Sequence, residues 1–176
     1  VTASKGKLRL IGDDALRANY TDIAPAPRAI VANLPYNIAT VLLLGWLEHI
    51  NDFRSLTLMF QKEVAERLVA PAGSNAYGRL SVITQWLSIP EKKFDLPPEA
   101  FTPPPKVTSS VVHLVPRPRT DSVNFKTMEK ITAAAFGQRR KMLRQSLKTL
   151  GRPTEELLDK AGIAGTARAE EIDVAG

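Results

Sequence analysis

A chain of 176 residues, 44% hydrophobic and 24% charged, has the make-up of a globular protein long enough to bury a sizeable core. The absence of cysteine excludes disulfides and thiolate metal sites, the two histidines (His49 and His113) stand far apart without ligand-like neighbours, and no run approaches the roughly 18 apolar residues of a membrane span. The net charge of +6 is concentrated between Pro116 and Arg152, where ten Lys/Arg stand against two Asp/Glu, so a polyanionic partner is expected at that end, nucleic acid before membrane.

In chain order, residues 7–11 read as a short apolar strand, and Gly12-Asp13-Asp14-Ala15-Leu16 then sets acidic groups just past its end. After a polar stretch to Pro27, residues 29–33 form the next predicted strand, and its ending is unusual. Asn33 is followed two residues later by Pro35, which removes a backbone donor and fixes the turn, and then by Tyr36. A short polar side chain, a rigid ring and an aromatic face at the carboxyl edge of a buried strand suit the holding of a planar nitrogen base. The plainer alternative is that Pro35-Tyr36 only turns the chain.

Leu42, Leu43, Trp46, Leu47 and Ile50 recur at helical spacing and predict a helix over 38–50. Residues 55–60 read as a buried strand, 62–69 as an amphipathic helix, 70–78 as a loop by composition, and 79–89 as a helix carrying Val82, Ile83, Trp86 and Leu87. Residues 92–96 and 107–115 are predicted strands on either side of a proline-rich turn. Met59, Trp46 and Trp86 fall on the apolar patterns and are expected in the core; His49 is expected at a helix end and His113 on a strand surface.

This alternation predicts an α/β fold with a mostly parallel sheet and an antiparallel hairpin at one edge. Beyond Pro116 the pattern becomes helical and basic, with helices expected over 125–136, 138–150 and 154–161, separated by Gly137 and Gly151-Arg152-Pro153. A domain boundary is expected between 116 and 121, dividing residues 1–118 from a helical unit of residues 119–176. An α/β fold that binds a nucleotide-like cofactor ordinarily has a glycine-rich loop after its first strand and an acid after its second. No such glycine motif precedes residue 7, so either the fold lacks that loop or the chain begins partway through a domain.

Six blocks, in order, resemble the ribosomal RNA adenine N6-dimethyltransferases, the bacterial small-subunit members above all: Gly12-Asp13-Asp14-Ala15-Leu16; Asn33-Leu34-Pro35-Tyr36-Asn37-Ile38; Gln61-Lys62-Glu63-Val64-Ala65-Glu66-Arg67; Tyr77-Gly78-Arg79-Leu80-Ser81-Val82; Phe101-Thr102-Pro103-Pro104-Pro105-Lys106-Val107; and Phe136-Gly137-Gln138-Arg139-Arg140-Lys141. A lone Asn-x-Pro-Tyr is shared with many amino-methyltransferases, whereas six ordered blocks over nearly the whole chain are specific. The resemblance implies the C-terminal portion of a Rossmann-like class I methyltransferase sheet followed by a small all-α domain. It also implies a fragment, because family members open with a glycine-rich loop and an acidic ribose ligand and continue into a last helix.

The resemblance further implies S-adenosylmethionine as cofactor, bound by Asp14, Ala15 and Asn33, with Asp14 favoured over Asp13 by its place in the Asp-Ala-Leu unit. Asp14 could equally be a turn or N-cap residue for purely local reasons. The target adenine N6 would donate to the Asn33 side-chain oxygen and to the backbone carbonyl of Leu34 or Pro35. Tyr36 would stack on one face of the extruded base and Phe101 would cover the other, unless Phe101 is a plain core aromatic anchoring the proline loop. Arg139, Arg140, Lys141, Arg144 and Lys148 are expected to cover a wide arc of one helix and contact RNA phosphates, against the plainer reading of a solvated face. Arg67, Tyr77, Arg79 and Lys106 are weaker RNA candidates.

The function these readings imply is successive transfer of two methyl groups to N6 of adenosines in small-subunit ribosomal RNA or a pre-ribosomal small subunit, by a cytoplasmic monomer without metal or membrane. The competing readings are a non-catalytic RNA-binding or ribosome-assembly factor on the same fold, and a DNA adenine methyltransferase, which the basic tail and the Phe-x-Pro-x-Pro block disfavour.

Overall fold

The structure is a computed structural model that describes residues 8–119 and 121–174. Among the described residues four strands form one sheet in the order β1-β2-β4-β3: β1 (Arg28–Asn33), β2 (Phe53–Gln61), β3 (Ser88–Leu96) and β4 (Ser109–Pro116). β1 and β2 are parallel and are joined through α2 (Tyr36–Glu48), which follows the short helix α1 (Tyr20–Ile23). β4 lies antiparallel to both β2 and β3. Among the described strands the sheet is therefore mixed, with the β3–β4 hairpin at one edge. Pro90, which has no ladder donor, sits on the edge strand β3, where such a residue is tolerated.

Alternation along the strands separates two faces. Leu56, Leu58 and Phe60 of β2 and Val112 and Leu114 of β4 are at most 1% exposed and pack under α2, α3 (Lys62–Val69) and α4 (Arg79–Leu87) in one apolar cluster. Trp46 and Trp86 belong to that cluster, as their apolar periodicity predicts. The opposite face is open. Val31 is 81% exposed, Phe94 54%, Ile89 51% and Val115 41%.

A second cluster gathers Ala135, Leu143, Leu147, Leu158 and Ala169 from α5 (Phe125–Gly137), α6 (Leu143–Ser146), the 3-10 turn after it, α7 (Thr154–Ala161) and a short turn near Ala169. Helix α5 serves both clusters, since Phe125 and Met128 in its first turns pack on the sheet cluster while Ala135 near its end joins the second. The segment between them is held down at its start. The Arg119 guanidinium lies 3.9 Å from the centre of the Trp86 ring and pairs with Asp121, which also accepts the Val123 N–H. These partners, Arg119 first, hold the Asp121 carboxyl down at about 2.

Four sequence expectations give way here. The mostly parallel sheet is not found among the described strands, where β1–β2 is parallel but β2–β4 and β3–β4 are antiparallel. Residue 7 lies outside the described residues, and 8–11 form no strand: no described strand runs beside them, and Leu8, Leu10 and Ile11 are 51%, 71% and 44% exposed. The helix expected to run to residue 89 stops at Leu87, because Ser88 turns extended and enters β3, its hydroxyl donating to the Thr84 carbonyl. The single helix expected over 138–150 is interrupted as well. Met142 is extended and bridges to Arg168, and the Leu143 and Arg144 N–H groups donate to the carbonyls of Ala167 and Gly165, so tertiary pairing takes the place of a continuing helix at Met142 and in the first turn of α6.

Candidate active site

Asn33 is the last residue of β1 and sits opposite Met59 of β2, at the carboxyl edge of the parallel pair, where open α/β sheets place their ligands. The chain then turns within two residues. Pro35 caps α2 with φ −58°, the angle its ring imposes, and its carbonyl accepts the N–H groups of Ile38 and Ala39, both at 3.1 Å. Leu34 is buried beneath the turn and anchors it to the sheet cluster, leaving Asn33 and Pro35 exposed above. Tyr36 opens the helix.

Phe101 arrives from the far edge of the sheet, at the same end as Asn33. The proline-rich connection between β3 and β4 makes a 3-10 turn at Pro98–Ala100, and the Phe101 N–H donates to the Pro98 carbonyl at 3.1 Å. The result is a shallow cleft of about 210 Å³ lined by Asn33, Leu34, Pro35, Tyr36, Met59, Phe101, Pro103 and Pro105. All five residues predicted to hold the base meet in it.

Sequence reasoning missed Met59 as a lining residue, since its apolar pattern read as core; its register opposite Asn33 is the signal that locates it. It also missed Ser109. This side chain is fully buried, and its Oγ lies 2.6 Å from the Tyr36 hydroxyl. Next along β4, Ser110 donates to Asp95 at 2.6 Å, and Lys92 and Lys62 also reach that carboxylate. The Ser110 hydroxyl, then Lys92 and Lys62, hold the Asp95 carboxyl down at about 2.

The other predicted cofactor residues are elsewhere. Asp14 sits in a tight turn: its Oδ1 accepts the Leu16 N–H at 3.0 Å and its carbonyl accepts from Arg17 and Ala18. Ala15 lines a different cleft, of about 620 Å³, together with Tyr20, Arg28, Trp46 and His49. The described residues thus bring Asn33, Tyr36 and Phe101 together in one cleft and place Ala15 in another, with Asp14 lining neither.

The basic candidates divide by environment. Tyr77, weighed as an RNA contact, is wholly buried: its hydroxyl donates to the Ile172 carbonyl at 3.0 Å and its ring meets Phe136 edge-on at 6.1 Å. Burial, with Asp173 beside it, pushes its phenol pKa up. Arg139 does not stand on a helix face; its guanidinium reaches Glu170 at 2.5 Å and donates to the carbonyls of Asn75 and Ser74. Arg67 pairs with Glu63 one turn earlier on α3, and Arg79 with Glu129 at 3.0 Å. Lys106 lines a polar cleft with Lys62, Glu63 and Glu66. Arg140, Lys141, Arg144 and Lys148 are exposed and form no ion pair among the described residues.

His49 caps α2 and His113 shares a 2.8 Å hydrogen bond with Thr57 on the open sheet face. Among the described residues no group of carboxylates and histidines is placed to hold a metal, and no helix is long and apolar enough to cross a membrane.

The sequence matches the family described as ribosomal RNA adenine dimethylase over residues 1–175. Ribosomal RNA small subunit methyltransferase A of Paramagnetospirillum magneticum is 55% identical over 175 residues, covering 99% of this chain and 62% of its own length. The protein of the same name from Xanthobacter autotrophicus is 57% identical, covering 97% and 61%. The chain thus spans about three fifths of these relatives. Among solved structures, a dimethyladenosine transferase from Plasmodium falciparum superposes with a TM-score of 0.83 at 26% identity, covering 97% of this chain and 70% of that one. The 23S rRNA methyltransferase ErmE, at 24% identity and a TM-score of 0.62 over 93% of this chain and 66% of its own, shares the fold.

Proposed function

The chain belongs to the ribosomal RNA adenine dimethylase family, and from that premise we propose that the protein, at the length of its relatives, transfers two methyl groups in succession to N6 of adenosines in small-subunit ribosomal RNA. The observation that carries this reading is the meeting of Asn33, Tyr36 and Phe101 in one cleft at the carboxyl edge of β1. In this reading residues 1–118 hold the chemistry and 119–176 hold the RNA, in a cytoplasmic monomer.

The exocyclic amine of adenine is a poor nucleophile because its lone pair is delocalised into the ring. S-adenosylmethionine, bound, supplies a methyl group made electrophilic by its sulfonium. The chain's own residues supply orientation. The Asn33 side-chain oxygen and a backbone carbonyl accept the two N6 hydrogens, which turns the lone pair out of the ring plane and stabilises the positive charge that grows on nitrogen. Pro35's carbonyl is already engaged by Ile38 and Ala39, which favours Leu34 as the second acceptor. Tyr36 and Phe101 hold the extruded base by its faces. No strong base is required, since the methylated amine gives up its proton readily to water. After the first transfer one N–H remains, so a single acceptor still orients the amine for the second.

Calorimetry with S-adenosylmethionine, on this chain and on the chain extended upstream to its relatives' length, tests the reading together with methylation of small subunits lacking the modification. The extended protein is expected to bind the donor and to methylate. A protein that binds RNA without doing either is the non-catalytic assembly factor.

The exposed Arg140, Lys141, Arg144 and Lys148, with Lys106, Arg67 and Arg79 nearer the sheet, would contact phosphates. Charge reversal of Arg140, Lys141 and Arg144 is expected to weaken binding of a ribosomal RNA fragment and to flatten the plot of log affinity against log salt by about one unit for each phosphate left without its cation. Reversal that leaves the slope unchanged removes these residues from the RNA interface. Arg139 is left out of that variant because its guanidinium already holds Glu170 and the 74–75 carbonyls. By itself, Arg139→Ala is expected to lower the melting temperature more than the salt slope.

A further inference from the structure

We infer that Ser109 is a positioning residue for methyl transfer, acting through the Tyr36 hydroxyl to set the plane on which the target base rests; this rests on the methyltransferase reading above. Tyr36 stands at the first position of α2 with its ring lining the base cleft. A ring there has no intrinsic reason to keep one orientation, since the torsion about its Cβ–Cγ bond is soft. What holds it is the far end. The Tyr36 hydroxyl and Ser109 Oγ share a 2.6 Å hydrogen bond across 73 residues of sequence, within the range of a strong bond between hydroxyls.

Ser109 is itself immobilised. It is fully buried as the first residue of β4, in register with Gln61 of β2 and Leu96 of β3, and so is clamped on both sides by the sheet. Its chain neighbours are tied as well: the Thr108 carbonyl accepts the Lys62 N–H at 2.9 Å, and Ser110 donates to Asp95. A hydroxyl fixed by the sheet therefore fixes a ring that would otherwise rock. The same bond occupies the Tyr36 hydroxyl and leaves the ring face as the part that meets the base. Such a tie contributes to the geometry of attack more than to affinity, because a tilted platform still stacks while the amine leaves the line of transfer.

The test uses the protein extended to its relatives' length, with unmethylated small subunits as substrate. Ser109→Ala and Tyr36→Phe are each expected to lower kcat about three- to thirtyfold with KM for the RNA changed less than twofold. The double variant is expected to be no slower than the slower single one, because both remove the same bond. Ser109→Thr, which keeps the hydroxyl, is expected to recover most of the rate. Melting temperatures of all four variants separate this from general destabilisation, which the Thr variant would not relieve selectively. Wild-type kcat in Ser109→Ala, or rate losses that multiply in the double variant, would overturn the role of Ser109. An unsubstituted protein that does not methylate fails the functional reading instead, and in that case quenching of a 2-aminopurine placed at the target position, equal in Ser109→Ala and the parent, overturns the positioning role independently.

Discussion

Asn33→Ala, in the protein extended to the length of its relatives, is expected to reduce methylation by about 10²–10³-fold while leaving RNA affinity within twofold. The size follows from what the side chain would do: it places one acceptor where positive charge develops, and loss of one preorganised hydrogen-bonding partner at such a point costs about that factor. In the proposed function RNA affinity would be spared, because it would come from phosphate contacts spread over distant basic residues, with base stacking on Tyr36 and Phe101. Asn33 is exposed at the end of its strand and no described hydrogen bond engages its side chain, so truncation leaves no buried group without a partner and the fold is expected to keep its melting temperature. Rates from single-turnover methylation, beside affinities from filter binding, decide the matter. Unchanged turnover would take Asn33 out of the reaction.

Tyr77→Ala is expected to cost about 3–5 kcal/mol in stability, the usual result of deleting a large buried aromatic. On a chain of this size that is a fall in melting temperature of about 6–20 °C. The ring is wholly buried against Phe136, and the hydroxyl satisfies the Ile172 carbonyl. Tyr77→Phe keeps the packing and removes only the donor, so about 1 kcal/mol is expected there. The pair distinguishes packing from hydrogen bonding by thermal unfolding followed by circular dichroism. A Tyr77→Ala variant with an unchanged melting temperature and weakened RNA binding would return this residue to the RNA surface.

The parts of the molecule that were legible in the sequence are those decided locally. Asn33, Pro35 and Tyr36 are consecutive enough that strand end, rigid turn and aromatic face follow from residue chemistry alone, and α2 follows from its apolar stripe. Phe101 could be assigned only through resemblance, since nothing nearby says that the β3–β4 connection returns to Asn33. Ser109 was invisible for the same reason: a lone serine at a strand start acquires meaning only when 73 residues of chain bring it to a tyrosine. Tyr77 and Arg139 misled in a different way. Their residue types advertise RNA, but partners on the 169–173 segment draw both inward. Residues 8–11 have the apolar content of a strand, yet a strand exists only with a neighbour, and no described strand lies beside them.

Those same inward ties have a consequence for how RNA would be delivered. The loop at 73–75 is joined to the 168–172 segment through Gly73 N–H to the Glu170 carbonyl at 2.7 Å and through Arg139, while Arg79 spans to Glu129 on α5. Were the helical unit attached only by its linker, the concentration of captured RNA at the cleft would be an average over every reach of a tether and would fall as the tether lengthened. Docked in this way, the unit would act as a ruler in the proposed function. In that function the distance between the phosphates it would grip and the base at Asn33 would be set by the fold, which docks the unit through the packing of Phe125 and Met128 on the sheet cluster as well as through the Arg139 and Arg79 ties, so loosening that packing together with those ties should relax which adenosine, counted from the gripped phosphates, arrives at the cleft.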